Sequence, residues 1–125
     1  MPASVTVLVV EDDPVILRLL EVNFELEGFN VLAAHDGAEG IELARAEHPD
    51  VIISDIMMPK VSGLELVQAV KGDPDLAATP IILLSAKAQS ADLKSGLDAG
   101  ADDYVTKPFE PLDLVDRVNA LLGAR

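Results

Sequence analysis

The chain has 125 residues, half of them apolar, which suits one domain built on one full-sized core. It has no cysteine, which excludes a disulfide framework, a zinc–thiolate site and cysteine catalysis. The formal charge of −13 repels phosphate backbones and anionic lipid, so neither direct nucleic-acid binding nor membrane binding is expected of this chain. No apolar run approaches the roughly 20 residues of a membrane span. The start, Met1-Pro2-Ala3-Ser4, lacks the basic region of a signal peptide, so a cytoplasmic protein is expected.

Val5 to Val10 is a near-continuous apolar run and reads as a buried strand. Glu11, Asp12 and Asp13 follow, then Pro14, which suits the first position of a helix with Asp13 as its N-cap. Ile16, Leu20 and Phe24 recur every four residues, with Leu19 and Leu26 beside them, and predict a helix to about Glu27, stopped by Gly28. Val31 to Ala34 is the second strand. Asp36-Gly37 opens a second helix with Ala38, Ile41 and Ala44 as its inner face, ended by His48-Pro49-Asp50.

Val51 to Asp55 is a third buried strand. It ends in a carboxylate, and Pro59 soon after would spoil a continuing central strand. Lys60 to Gly63 is a loop, and Leu64, Val67 and Val70 mark the third helix. Pro80 to Ser85 is the fourth strand. Leu93 and Leu97 place a fourth helix ending at Gly100. Asp103-Tyr104-Val105 is a short fifth strand, and a last helix begins near Pro111 with Leu112, Val115 and Leu122 facing in. Strands alternating with helices imply an α/β fold with a parallel sheet covered on both faces. The chain reads as a single domain, 1–125, with no output module after the last helix.

In an open parallel sheet, ligands bind at the carboxyl ends of the strands. Glu11 and Asp12 end strand one, Asp55 ends strand three, Ser85 ends strand four and Lys107 follows strand five. Neither glycine-rich phosphate loop, G-x-G-x-x-G or G-x-x-x-x-G-K-[ST], is present. Carboxylates brought together repel unless a cation joins them. Hard oxygen donors without histidine or cysteine point to Mg²⁺ rather than zinc. A carboxylate beside Mg²⁺ can attack a phosphoryl group, with Lys107 and the Ser85 hydroxyl stabilising the transferred charge. Taken singly, each residue has a plainer reading: Glu11 and Asp12 as helix-opening carboxylates, Asp55 as a cap, Ser85 as a turn residue, Lys107 as a solvated lysine, Tyr104 as a half-buried aromatic.

Together these residues closely resemble the receiver domain of two-component response regulators, with the chemotaxis-type fold. The matching stretches are Val9 to Asp13, Asp55-Ile56-Met57-Met58-Pro59 followed by Gly63, Leu84-Ser85-Ala86, and Ala101 to Phe109. The resemblance implies a doubly wound, flavodoxin-like sheet in the order 2-1-3-4-5. It implies Asp55 as phospho-acceptor and Mg²⁺ held by Asp12, Asp55, the backbone carbonyl of Met57 and, through water, Glu11. Lys107 would pair with phosphoryl oxygens, with a cis bond to Pro108. Ser85 and Tyr104 would be the switch pair: Ser85 bonds a phosphoryl oxygen and Tyr104 turns inward. Met57 and Lys87 lie beside the site.

The implied function is a switch, not a conventional enzyme. A sensor histidine kinase or phosphotransfer protein phosphorylates Asp55, and the face formed by helix four, strand five and helix five then controls an output protein or self-dimerisation. The only catalysis implied is the chain's own phosphorylation and autodephosphorylation. Asp102, Asp103 and Arg117 match positions that form charged contacts across a dimer in receivers of winged-helix transcription factors, although Leu93 stands where a basic residue of that set is common. Two rivals are weaker. A phosphatase of the haloacid dehalogenase type needs a second aspartate two residues after the nucleophile, where this chain has Met57. A flavodoxin-like electron carrier would need its phosphate loop where this chain has Glu11, Asp12 and Asp13.

Overall fold

A computed structural model describes residues 5–58, 61–86 and 90–123. Pro59, Lys60 and Lys87, singled out above, lie outside the described residues. Five strands alternate with five helices: β1 (Thr6–Val10), α1 (Pro14–Leu26), β2 (Asn30–Ala34), α2 (Gly37–Glu47), β3 (Val51–Asp55), α3 (Gly63–Lys71), β4 (Ile81–Ala86), α4 (Ser90–Asp98), β5 (Asp103–Lys107) and α5 (Pro111–Gly123). All strand pairs are parallel and the sheet order is β2-β1-β3-β4-β5, the doubly wound arrangement.

Successive side chains of a strand point to opposite faces, so continuous apolar strands supply two cores. Val7, Val9, Val51, Ile53, Ile82 and Leu84 join Leu17, Leu20 and Phe24 of α1 and Leu114, Val115 and Val118 of α5 on one face. Leu8, Val10, Ile52, Ile81 and Leu83 join Ala44 of α2 and Leu66, Val67 and Val70 of α3 on the other. Capping follows the residue chemistry. Asp13 accepts the Val15 and Ile16 N–H groups, Asp36 accepts that of Glu39, and Ser62 accepts that of Glu65.

Two helix faces differ from the periodicity reading. In α2 the buried residues are Gly37, Gly40 and Ala44, while Ala38 is exposed. The helix runs so close to the sheet that a Cβ on Gly40 would stand 2.8 Å from Val10 Cγ2, so glycine, not alanine, makes the contact. In α5, Leu112 is exposed and Leu114 and Val118 join Val115 in the core. The fifth strand is also longer than read, reaching Lys107 by pairing with β4 as far as Ala86.

Candidate functional site

The register brings the strand ends together in rows. Val10 pairs with Ser54, so Glu11 comes level with Asp55, and Asp55 pairs with Leu84, which pairs with Val105. Glu11 continues the row of Val7 and Val9, Asp55 that of Val51 and Ile53, and Lys107 that of Val105. The three charged residues therefore crown the α1/α5 face of the sheet. Ser85 continues the opposite row, of Ile81 and Leu83.

Lys107 Nζ donates to Asp55 Oδ2 and to Glu11 Oε1, both at 2.9 Å. Asp55 is 6 % exposed and Glu11 fully buried. The other oxygen of Glu11 accepts the Asp13 N–H at 3.1 Å, and Asp55 Oδ1 accepts the Met57 N–H at 3.3 Å. Glu11, Asp12 and Asp55 each offer a carboxylate oxygen within 4.8 Å of one another, with Asp12 exposed to solvent. The donor set is all hard oxygen, which fits Mg²⁺.

Burial is the largest influence on Glu11 and lifts its pKa to about 7, against the lowering effect of the Asp13 N–H and the Lys107 ammonium. Burial also pulls Lys107 down, but its bonds to Asp55 and Glu11 outweigh that and hold it above its ordinary value. Lys107 is thus a fixed cation, and Glu11 is the carboxylate whose charge responds near neutral pH.

Asp55 does not cap α3, since Ser62 does. The turn after β3 folds back tightly: Gly63 N–H donates to Ile56 O at 2.9 Å, and a Cβ on Gly63 would stand 2.5 Å from the Asp55 carbonyl oxygen. Only glycine fits against Asp55 there. The Lys107–Pro108 bond is cis. Ser85 is buried and its hydroxyl donates to Ala86 O at 3.0 Å. Tyr104 is 42 % exposed, with its side chain on the surface.

Asp102, Asp103 and Arg117 make contacts within the chain. Arg117 Nη1 donates to both oxygens of Asp103 at 3.1 Å and to Tyr104 O at 3.3 Å, and its Nε donates to Asp113. Asp102 Oδ2 accepts from Ile81 N–H and Lys71 Nζ instead, so one oxygen of this exposed carboxylate is engaged by different partners from those of Asp103. The sequence reading missed Lys71. The available signal was a lysine in the last turn of an amphipathic helix, where it can reach neighbouring carbonyls.

The family model described as the response regulator receiver domain matches residues 7–119. Among curated proteins, the chain is 46% identical over 116 residues to the transcriptional regulatory protein CseB of Streptomyces coelicolor, covering 93% of this chain and 48% of that protein. The chain thus spans about half the length of the curated relatives it matches. Among solved structures, it matches a putative response regulator from Chloroflexus aurantiacus with a TM-score of 0.91 and 34% identity, over 97% of this chain and 99% of that one. It also matches the receiver domain of the sensor histidine kinase PA1611 from Pseudomonas aeruginosa, which has a magnesium ion coordinated in its active-site cleft, with a TM-score of 0.89 and 29% identity over 97% and 99% of the two chains. The curated relatives named here are transcriptional regulators, while the matching solved structures include the chemotaxis protein CheY4 of Vibrio cholerae, with a TM-score of 0.89 and 32% identity over 95% and 99% of the two chains, so the likeness is to receiver domains in general and not to the chemotaxis type specifically.

Proposed function

We infer the function from one premise: the chain belongs to the response regulator receiver domain family. It works as a phosphorylation-activated signalling switch. A sensor histidine kinase or phosphotransfer protein supplies the phosphoryl group, Asp55 accepts it, and the α4–β5–α5 face responds. The observation that carries this reading is the Lys107 ammonium, 2.9 Å from Asp55 Oδ2 and 2.9 Å from Glu11 Oε1, beside the carboxylate of Asp12.

In the transfer, an Asp55 carboxylate oxygen attacks the phosphorus of a phosphohistidine. The P–N bond breaks, an acyl phosphate forms, and the imidazole leaves and takes up a proton. Lys107, 2.9 Å from Asp55 Oδ2, would balance charge on the phosphoryl group. Asp12, Asp55 and the Met57 carbonyl would hold Mg²⁺ directly. Glu11, with both oxygens engaged by Lys107 and Asp13, suits an indirect role. Bound there, Mg²⁺ supplies positive charge that neutralises the carboxylates and the phosphoryl oxygens.

Ser85 gives up its bond to Ala86 for a phosphoryl oxygen, and Tyr104 moves inward from its exposed position. Phosphorylation shifts the two-state equilibrium only by its differential interaction with the two states. The chain also hydrolyses its own acyl phosphate. We place it in the cytoplasm; no described helix is long and apolar enough to cross a membrane.

Between a transcriptional and a chemotaxis-type output, the curated relatives favour the transcriptional one. Such an output acts through self-dimerisation on the α4–β5–α5 face, where Asp103 and Arg117 lie and can exchange partners across a two-fold axis. The functional test is incubation with Mg²⁺ and a small phosphodonor such as acetyl phosphate. The intact mass should rise by one phosphoryl group in the wild type and not in Asp55→Asn. Equal labelling of the two proteins would refute Asp55 as acceptor.

A further inference from the structure

Lys71, at the C-terminal end of α3, takes no part in the site described above, yet its ammonium is fully engaged. It donates to Thr79 O at 2.8 Å, to Ala77 O at 3.3 Å and to Asp102 Oδ2 at 3.3 Å. The same Asp102 oxygen accepts the Ile81 N–H at 2.8 Å, and the Asp102 N–H donates to Ile81 O at 2.8 Å. Asp102 therefore grips Ile81, the first residue of β4, with both its backbone and its side chain. Gly100 completes the junction. Its φ is +123°, and a Cβ there would stand 3.0 Å from Lys71 Cγ, so the lysine stem passes the loop at contact distance. Lys71 thus ties together α3, the α3–β4 loop and the α4–β5 loop.

This junction sits at the end of β4 opposite Ser85. Four residues on from Ile81, β4 reaches the switch serine, and Leu84 between them pairs with Asp55. α4 is held to the fold through few side chains: Gly96 is its buried residue and Leu93 packs, partly buried, against the core. A helix held so weakly transmits a push at one end to its exposed face only if its other end is fixed.

We propose that Lys71 and Asp102 form the pivot of the switching face, with Lys71 a positioning residue that fixes the α4–β5 loop to the buried start of β4 while the other end answers to Asp55. The proposal rests on the receiver reading above. The pivot also engages one oxygen of the solvent-exposed Asp102 carboxylate within the chain.

The test uses the whole chain as wild type, Lys71→Met, Asp102→Asn and the double variant. Asp102→Asn retains an oxygen for the Ile81 N–H and is the gentler change. Amide exchange at Ile81 and Asp102 should quicken about tenfold in each single variant, as loss of one charge-assisted bond predicts, and no further in the double variant. Exchange at Val7 to Val10 should not change. Tyr104 emission is then followed with Mg²⁺ and beryllium fluoride, at equal site occupancy by fluorine NMR. Its response should fall to half or less in the variants. Unchanged exchange at Ile81 and Asp102 would overturn the pivot. So would faster exchange with a full Tyr104 response, which is the signature of a purely structural tie. A wild type that binds the mimic without any Tyr104 response would remove the receiver switch itself, a failure visible before any variant is made.

Discussion

Lys107 reaches Asp55 across the end of an intervening strand. The two residues end β5 and β3, β4 lies between them, and the ammonium still approaches the carboxylate to 2.9 Å. The strand being crossed is the one that ends at Ser85 and Ala86. Any group added to Asp55 must therefore meet the Lys107 ammonium and stand over the end of β4. A change at one carboxylate is felt on two neighbouring strands without any long-range relay.

Lys107→Met would leave Glu11 and Asp55 buried together without their shared cation. In the presence of a chelator, urea denaturation should show a loss of about 1–3 kcal/mol. Mg²⁺ should restore part of that loss, because the same carboxylates can gather around it. A Lys107→Met protein as stable as wild type in chelator would mean that the ion pair contributes no net stability.

Glu11 makes stability depend on pH. Its pKa is raised from 4.5 to about 7 on folding, chiefly by burial, so the folded state holds this proton more tightly than the unfolded state. The resulting stabilisation is complete below about pH 4.5 and is lost as pH rises through about 7. Glu11→Gln imitates the protonated form. In chelator the variant should gain on wild type between those pH values and be about 1–3 kcal/mol more stable at pH 8. A stability difference that stays flat with pH would remove Glu11 as the titrating group.

Gly63→Ala should act on Asp55 through the backbone. The new methyl would press on the Asp55 carbonyl oxygen, 2.5 Å away, so the β3–α3 turn must open. We expect a loss of about 1–3 kcal/mol on thermal or urea unfolding, typical of overpacking, together with slower labelling by acetyl phosphate. Normal stability and normal labelling would show that the turn yields freely.

Ser85→Ala removes a hydroxyl that at rest donates to the Ala86 carbonyl. Labelling of Asp55 should be nearly unchanged, while the Tyr104 response to phosphorylation weakens. A variant that labels and responds like wild type would take Ser85 out of the coupling.

Arg117→Ala should prevent the dimer that light scattering is expected to detect on addition of Mg²⁺ and beryllium fluoride. At rest, Arg117 is held by Asp103 and Asp113 within the chain, so the resting monomer should lose at most ~1 kcal/mol, the range of exposed ion pairs. A wild type that remains monomeric with the mimic bound would point to an output read by a different protein.

Much of this architecture was legible in the residues. The apolar runs from Val5 and Val51 could only be buried strands, and alternation with helices forces a parallel sheet whose carboxyl edge collects Glu11, Asp55, Ser85 and Lys107. On α2, Ala44 and Ile41 lie inward as read but Ala38 does not, because periodicity weighs apolar mass whereas the close contacts here depend on its absence: Gly37 packs on Val61 of the loop before α3 and Gly40 on Val10 of β1. Leu112 was misread because Leu114, Val115 and Val118 define the inner face of α5, and at helical spacing Leu112 falls off that face. The pairing of Asp102 within the chain was hidden for a different reason. Its partner, Lys71, is 31 residues away, and no local pattern signals a pairing at that distance.

The central claim is that charge placed on Asp55 rearranges the face carrying Tyr104. The chain has one tyrosine and no tryptophan, so its intrinsic emission reports that residue alone. The most direct measurement is that emission during titration with beryllium fluoride in Mg²⁺, with Asp55→Asn as control. The account predicts a saturable change in the wild type and none in Asp55→Asn. An unchanged emission in wild type with the mimic bound, or an equal change in Asp55→Asn, would contradict it.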